Sequence, residues 1–289
     1  RGLDGFRIKI KNEFANTTQE AFDVIILGDS YFVSGVIPQL IEEKAHLRAF
    51  NFATYSAHGI FGSYCLFKNY LENSSHVPKY LVLAFQVETI SLSKIAPEYM
   101  YDLKLNNAMQ LMEEFGWAEG VKFQVPSLKH QYFYREVLQN FKIPSFLNSK
   151  EIESFIHGVI ADRGRYAPHE NEMLAESARE EDVNFKYRFR VSPSSKSNLD
   201  KILNLARKNH IQIFYVVPTL SQDWYSLYSK LGVIEGYERF LSSLQKEFPE
   251  IHLLRFQDQI QDIALYSDRL HLNRNGAYDL TSLIASKLR

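Results

Sequence analysis

Five short apolar runs punctuate the chain: Phe22–Leu27, Leu47–Phe52, Tyr80–Phe85, Ile211–Val217 and Ile251–Phe256. The first, third and fourth are almost continuously apolar, as in strands buried on both faces; the second and fifth carry polar interruptions. Helical spacing lies between them. Tyr237, Phe240, Leu241, Leu244 and Phe248 form one stripe, stopped by Pro249. Leu199, Ile202, Leu203 and Ala206 form another, entered through the Ser/Pro-rich segment Val191–Ser195. Pro38 is placed to open the first helix, because proline is tolerated in a first turn and costly inside one. Strand and helix alternate, which predicts a parallel sheet in an α/β domain.

The stretch from about Ser91 to Arg190 breaks this rhythm, with helix-like patches at Asn107–Phe115 and Glu151–Ile160. It reads as a helical insertion (about 91–190) on one domain spanning 1–289. A separate second domain is the alternative, but no Gly/Ser linker marks its edges. No internal repeat is present.

Composition narrows the function classes. With 45% hydrophobic and 23% charged residues, the 289-residue chain can bury a large core. Lys+Arg of 33 against Asp+Glu of 34 leaves a net charge of -1, so no global field gathers phosphate backbones, and nucleic acid is not an expected partner. The single Cys65 excludes a disulfide framework, and nine histidines without close ligand spacing suggest no metal site. No apolar run reaches the roughly 18 residues of a spanning helix. The chain opens at Arg1 rather than Met, so a preceding signal or anchor helix is an open expectation. Trp117 and Trp224 have the chemistry to stack a sugar ring, and Arg163, Arg165, Lys186, Arg188 and Arg190 to meet an anionic polymer. Core packing and a solvated charged face are the plainer readings of each set.

Candidate chemistry sits at the two ends. The first strand runs into Gly28-Asp29-Ser30, and residues just past a strand's carboxyl end line the ligand crevice of an open parallel sheet. By itself this tripeptide also reads as an ordinary turn with Ser as a helix cap. After the fifth run come Asp268-Arg269-Leu270-His271-Leu272-Asn273 and then Gly276. An Asp three residues before a His on a loop can accept the Nδ1 proton and leave Nε2 free as a base, which is what a serine nucleophile needs. Tyr31 and Phe32, adjoining Ser30, are candidates to line a substrate pocket. No glycine-rich phosphate loop follows the first strand, which argues against a nucleotide-binding domain.

Together, Gly28-Asp29-Ser30 and Asp268-x-x-His271 resemble the SGNH (GDSL-type) hydrolase superfamily, over Ala21–Glu88 and Lys196–Arg289. The resemblance implies a three-layer α/β/α sandwich with a central, mostly parallel five-stranded sheet (flavodoxin-like). It also implies Ser30 as nucleophile, His271 as base, Asp268 as its orienter, and no cofactor. The family's second segment supplies an oxyanion-binding glycine N–H, matched in position by Ser56, which can donate if its turn needs no positive φ. The third segment departs from the family. Its Asn is absent from Ala84-Phe85-Gln86-Val87-Glu88; Glu88 falls there by register, and Gln86 replaces the donor if the register differs by two residues.

That departure, with the insertion, looks more like the members acting on cell-envelope polymers, such as alginate O-acetyltransferase-like and D-alanyl transfer proteins. The resemblance then implies an esterase or O-acyltransferase acting on acyl, chiefly acetyl, esters of a cell-envelope polysaccharide. It further implies an extracytoplasmic location, a tether by an N-terminal helix and a membrane-bound O-acyltransferase partner. A non-catalytic component of the same fold, binding polymer or that acyltransferase, is the alternative.

Overall fold

The computed structural model describes residues 2–91, 158–165 and 189–288. Most of the expected insertion, including the patch at Asn107–Phe115, Trp117, Lys186 and Arg188, lies outside the described residues. Five parallel strands, β1 (Val24–Gly28), β2 (Ala49–Asn51), β3 (Tyr80–Ala84), β4 (Gln212–Val217) and β5 (His252–Arg255), lie in the order β2-β1-β3-β4-β5. Each falls within one of the five apolar runs, apart from Gly28, which extends the first.

Alternation along the strands divides the core. Ile25, Leu27, Leu81, Leu83, Ile213 and Tyr215 face one helical layer, whereas Val24, Ile26, Val82, Ala84, Phe214 and Val216 face the other. The first layer contains α1 (Gly2–Thr17), α4 (Gly59–Asn73), α5 (Val87–Ser91), α6 (Pro193–Lys208), α7 (Gln222–Lys230) and α8 (Val233–Glu247); the second contains α2 (Ser30–Gly35), α3 (Pro38–Ala45) and α9 (Arg274–Ala285). The result is the α/β/α sandwich expected from the sequence. Both helical stripes are buried, and α6 opens as read: Ser192 caps it by accepting from Ser195 N–H, with Pro193 in its first turn.

Two local details differ from expectation. Pro38 begins α3, not the first helix after β1, because Ser30–Gly35 already forms the short α2. The sequence pattern gave no sign of α1. That helix contributes Ile8 and Ala15 to the core, and buried Lys11 donates to the Ala53 carbonyl (2.7 Å) in the loop after β2. Burial, with the charge of Arg7 nearby, pulls the Lys11 ammonium down to about 7. Among the described residues no helix is long and apolar enough to cross a membrane.

At the β2 edge, residues 158–165 supply the Arg163 carbonyl to Asn51 N–H (2.8 Å), satisfying an edge donor. Arg163 pairs with Glu42, and Arg165 Nε donates to the Ser34 carbonyl (3.4 Å). These two arginines therefore serve contacts within the fold.

Candidate active site

The carboxyl ends of β1 and β3 meet closely. A Cβ on Gly28 would lie 2.5 Å from the Ala84 carbonyl oxygen, so only glycine lets the chain turn there without displacing β3. Asp29 follows as the cap of α2, and Ser30 is that helix's first residue, partly exposed at the sheet's carboxyl edge. As a first helical residue, Ser30 keeps a backbone N–H with no partner inside the helix.

From the other end of the chain, the loop between β5 and α9 brings Asp268 and His271 to the same place. His271 Nε2 lies 2.8 Å from Ser30 Oγ, and His271 Nδ1 lies 2.7 Å from Asp268 Oδ2. The other carboxylate oxygen, Oδ1, accepts the backbone N–H groups of Leu270 and His271, each at 2.8 Å. An ionised carboxylate only accepts, so Nδ1 carries the proton and Nε2 is left to accept from the Ser30 hydroxyl. Burial acts to raise the Asp268 pKa, but the His271 hydrogen bond and charge, with the two backbone N–H groups, hold it down to about 2. The loop is stopped by Asn273, whose side chain caps α9 by accepting from Asn275 and Gly276 N–H.

Asp29 has a different environment. It is 1% exposed, and its carboxylate accepts from Gln86 N–H (2.7 Å), Thr89 Oγ1–H (2.6 Å) and Tyr31 N–H (3.1 Å). Burial outweighs these bonds and pushes its pKa up to about 6. A raised folded-state value means that the native state holds the proton after the unfolded chain has released it. The stability tied to Asp29 is therefore fully present below about pH 4 and lost as pH rises through about 6. Urea-unfolding free energies between pH 4 and 7 should show the wild type losing stability relative to Asp29→Asn over this window; a pH-independent difference would show that Asp29 does not titrate there.

The remaining expected site residues are placed as follows. Ser56 begins a single 3-10 turn, Ser56–His58, in the loop whose Thr54 N–H donates to the Gly28 carbonyl (2.9 Å). Its φ is not positive; the left-handed requirement falls on Gly59, at φ 55. Ser56 thus meets the condition for presenting its N–H. Gln86 is buried, and its Nε2 donates to the Leu270 carbonyl at 3.1 Å. Glu88 accepts a short hydrogen bond from Tyr228 O–H, whose pKa burial and the Glu88 charge push up, keeping it a donor.

The expectation that Tyr31 and Phe32 line a substrate pocket is corrected. Both are 0% exposed and belong to the core beneath α2, where the Tyr31 hydroxyl bonds Thr219 Oγ1 at 2.8 Å. Successive helical residues point about 100° apart, so adjacency to Ser30 in sequence is not adjacency at its face. Trp224 is likewise no open sugar platform: it is 2% exposed, and Arg269 stacks on its ring at 5.7 Å.

A cavity of about 250 Å³ adjoins the loop, bounded by Gln86, Glu88 and Leu270 and by the carboxyl ends of β4 and β5. Its charged lining is Glu88, Glu238, Asp258 and Arg255, and Arg255 is already paired with Glu238.

Comparison with known proteins gives a family match over residues 11–288, to DUF1574, described as a protein of unknown function. No curated protein matches. Among solved structures, a candidate platelet activating factor from Streptococcus pneumonia aligns with a TM-score of 0.50 and 9% identity, over 99% of this chain and 94% of that one. A candidate lipolytic protein of the G-D-S-L family from Desulfitobacterium hafniense DCB-2 aligns with a TM-score of 0.43 and 12% identity, over 92% of this chain and 98% of that one. At 9% identity the likeness to the first of these is one of fold.

Proposed function

The chain belongs to the DUF1574 family, whose description assigns no activity, so its function has to be argued from its site, and we propose that it is an SGNH-type serine esterase or O-acyltransferase. The observation that carries this reading is the unbroken hydrogen-bonded series Ser30–His271–Asp268, assembled from opposite ends of the chain at 2.8 and 2.7 Å. A serine hydroxyl held on an oriented imidazole is the arrangement that activates it as a nucleophile.

In this reading Ser30 Oγ attacks an acyl carbonyl and its proton passes to His271 Nε2. The backbone N–H groups of Ser30 and Ser56 hold the oxyanion. The intermediate collapses to acyl-Ser30 as His271 returns the proton to the leaving alcohol. Water, or a sugar hydroxyl, then gives its proton to His271 and takes the acyl group, and His271 passes that proton to the departing Ser30 Oγ, restoring both residues. The Gln86 amide, expected as a third oxyanion donor, already gives one N–H to Leu270, leaving only its second N–H for that role.

The substrate class is drawn from the resemblance: acyl, chiefly acetyl, esters of a cell-envelope polysaccharide, handled outside the cytoplasm beside a membrane-bound O-acyltransferase. The missing third-segment Asn and the long segment between α5 and α6 support that placement. The missing Asn also favours the second reading, a non-catalytic binding component, because removing one oxyanion donor costs about 100- to 1,000-fold in rate.

Intact-mass analysis after treatment with a fluorophosphonate separates the two. A single adduct, mapped to Ser30, is the expected result. Folded protein that takes up no adduct would overturn the catalytic reading in favour of the binding role.

A further inference from the structure

Two residues before Glu88, which falls by register at the oxyanion Asn of the SGNH third segment, this chain carries a glutamine tied into both halves of the site. Its backbone N–H donates to Asp29 Oδ2 at 2.7 Å, one residue before Ser30, and its side-chain Nε2 donates to the Leu270 carbonyl at 3.1 Å, one residue before His271. With the His271–Ser30 contact at 2.8 Å, these bonds close a ring: Ser30, Asp29, Gln86, Leu270, His271 and back to Ser30. Gln86 and Asp29 are 4% and 1% exposed, so water competes little for either bond. The ring is anchored beneath, because Thr89 Oγ1 donates to the same Asp29 oxygen at 2.6 Å while the Thr89 carbonyl accepts from Ser195 of α6 at 3.1 Å.

We infer that Gln86 is a positioning residue: it holds the Asp268–His271 loop in register with the Ser30 turn, acting through Leu270 rather than on the substrate. The inference rests on the proposed serine chemistry for its kinetic consequence, but not for its structural one. At this point the loop is held to the rest of the fold by the Gln86 amide, the His271–Ser30 bond, the packing of Leu270 into the core and Arg269 on Trp224, and of these the Gln86 amide alone ties it by a hydrogen bond to the residue that also holds Asp29. A displacement of about 1 Å at such a site can cost about 100-fold in rate.

The test uses Gln86→Met, which keeps an unbranched chain of similar length and removes the donor. Two readouts are taken: kcat and KM on a chromogenic acetyl ester, and the ring-nitrogen NMR shifts of His271 in protein carrying ¹⁵N-histidine, assigned by their loss in His271→Ala. Expected are a kcat about 100-fold lower with KM little changed, and displaced His271 ring shifts in the resting protein. Unmoved ring shifts overturn the inference whatever the rate does; a lower rate with unmoved shifts would make Gln86 a direct oxyanion donor instead. If the wild type turns over no ester, the proposed function fails, and the ring shifts still decide whether Gln86 sets the loop. Should Gln86→Met not fold, Gln86→Leu removes the same side-chain donor and is read by the same shifts.

Discussion

Asp268→Asn is expected to lower kcat on an acetyl ester about 10,000-fold while leaving KM close to the wild-type value. The reason lies in how the two carboxylate oxygens divide their work. Oδ1 accepts the backbone N–H groups of Leu270 and His271 and lies 3.0 Å from His271 Nδ1, whereas Oδ2 is nearer to Nδ1, at 2.7 Å, and is bonded to it alone. An asparagine keeps one acceptor oxygen. Two backbone donors compete for it against one imidazole, so the oxygen stays with the backbone and the loop keeps its shape. The new NH₂ group then takes the nearer position, 2.7 Å from Nδ1, and as a donor favours an unprotonated Nδ1. That puts the imidazole proton on Nε2, pointing at Ser30 Oγ, where a base is required. The variant therefore folds and binds but carries the wrong tautomer. Steady-state kinetics with circular dichroism as a folding control would check this, and an unchanged kcat would remove Asp268 from the mechanism.

How much of this was legible beforehand follows from which interactions are local. Three of the five strands, β1, β3 and β4, are legible because a parallel strand buried on both faces needs an almost continuous apolar run. The two runs with polar interruptions, Leu47–Phe52 and Ile251–Phe256, are the edge strands β2 and β5, which cover Ala49–Asn51 and His252–Arg255. The Asp268–His271 pair was legible because its spacing is local, and Ser30 because it ends a strand. Asp29 lies in the same tripeptide, where its sequence context shows only a turn. Its bonds to Gln86 and Thr89 cross from β1 to β3, and no local pattern reports them. The partner of the Gln86 side chain is a backbone carbonyl, which any residue at position 270 would supply. Helix α1 was missed for a related reason: it buries Arg7, Lys11 and Asn12 alongside Ile8, so its inward face does not read as apolar.

If Ser30 and His271 act as one device, removing either should cost as much as removing both. Ser30→Ala, His271→Ala and the double variant are each expected to lose about a million-fold in kcat, and none should form the fluorophosphonate adduct. The geometry explains the equality. Ser30 Oγ is 2.8 Å from Nε2, and no second base is bonded to it among the described residues. Without His271, Ser30 is an ordinary alcohol, a poor nucleophile at neutral pH. Without Ser30, the imidazole has only water to activate. What survives in all three variants is the rate supplied by the N–H groups near Ser30 and Ser56, which none of the substitutions removes, because alanine keeps its backbone N–H. Losses that multiply in the double variant, rather than saturate, would mean that the two residues act independently, and the triad would no longer describe this site.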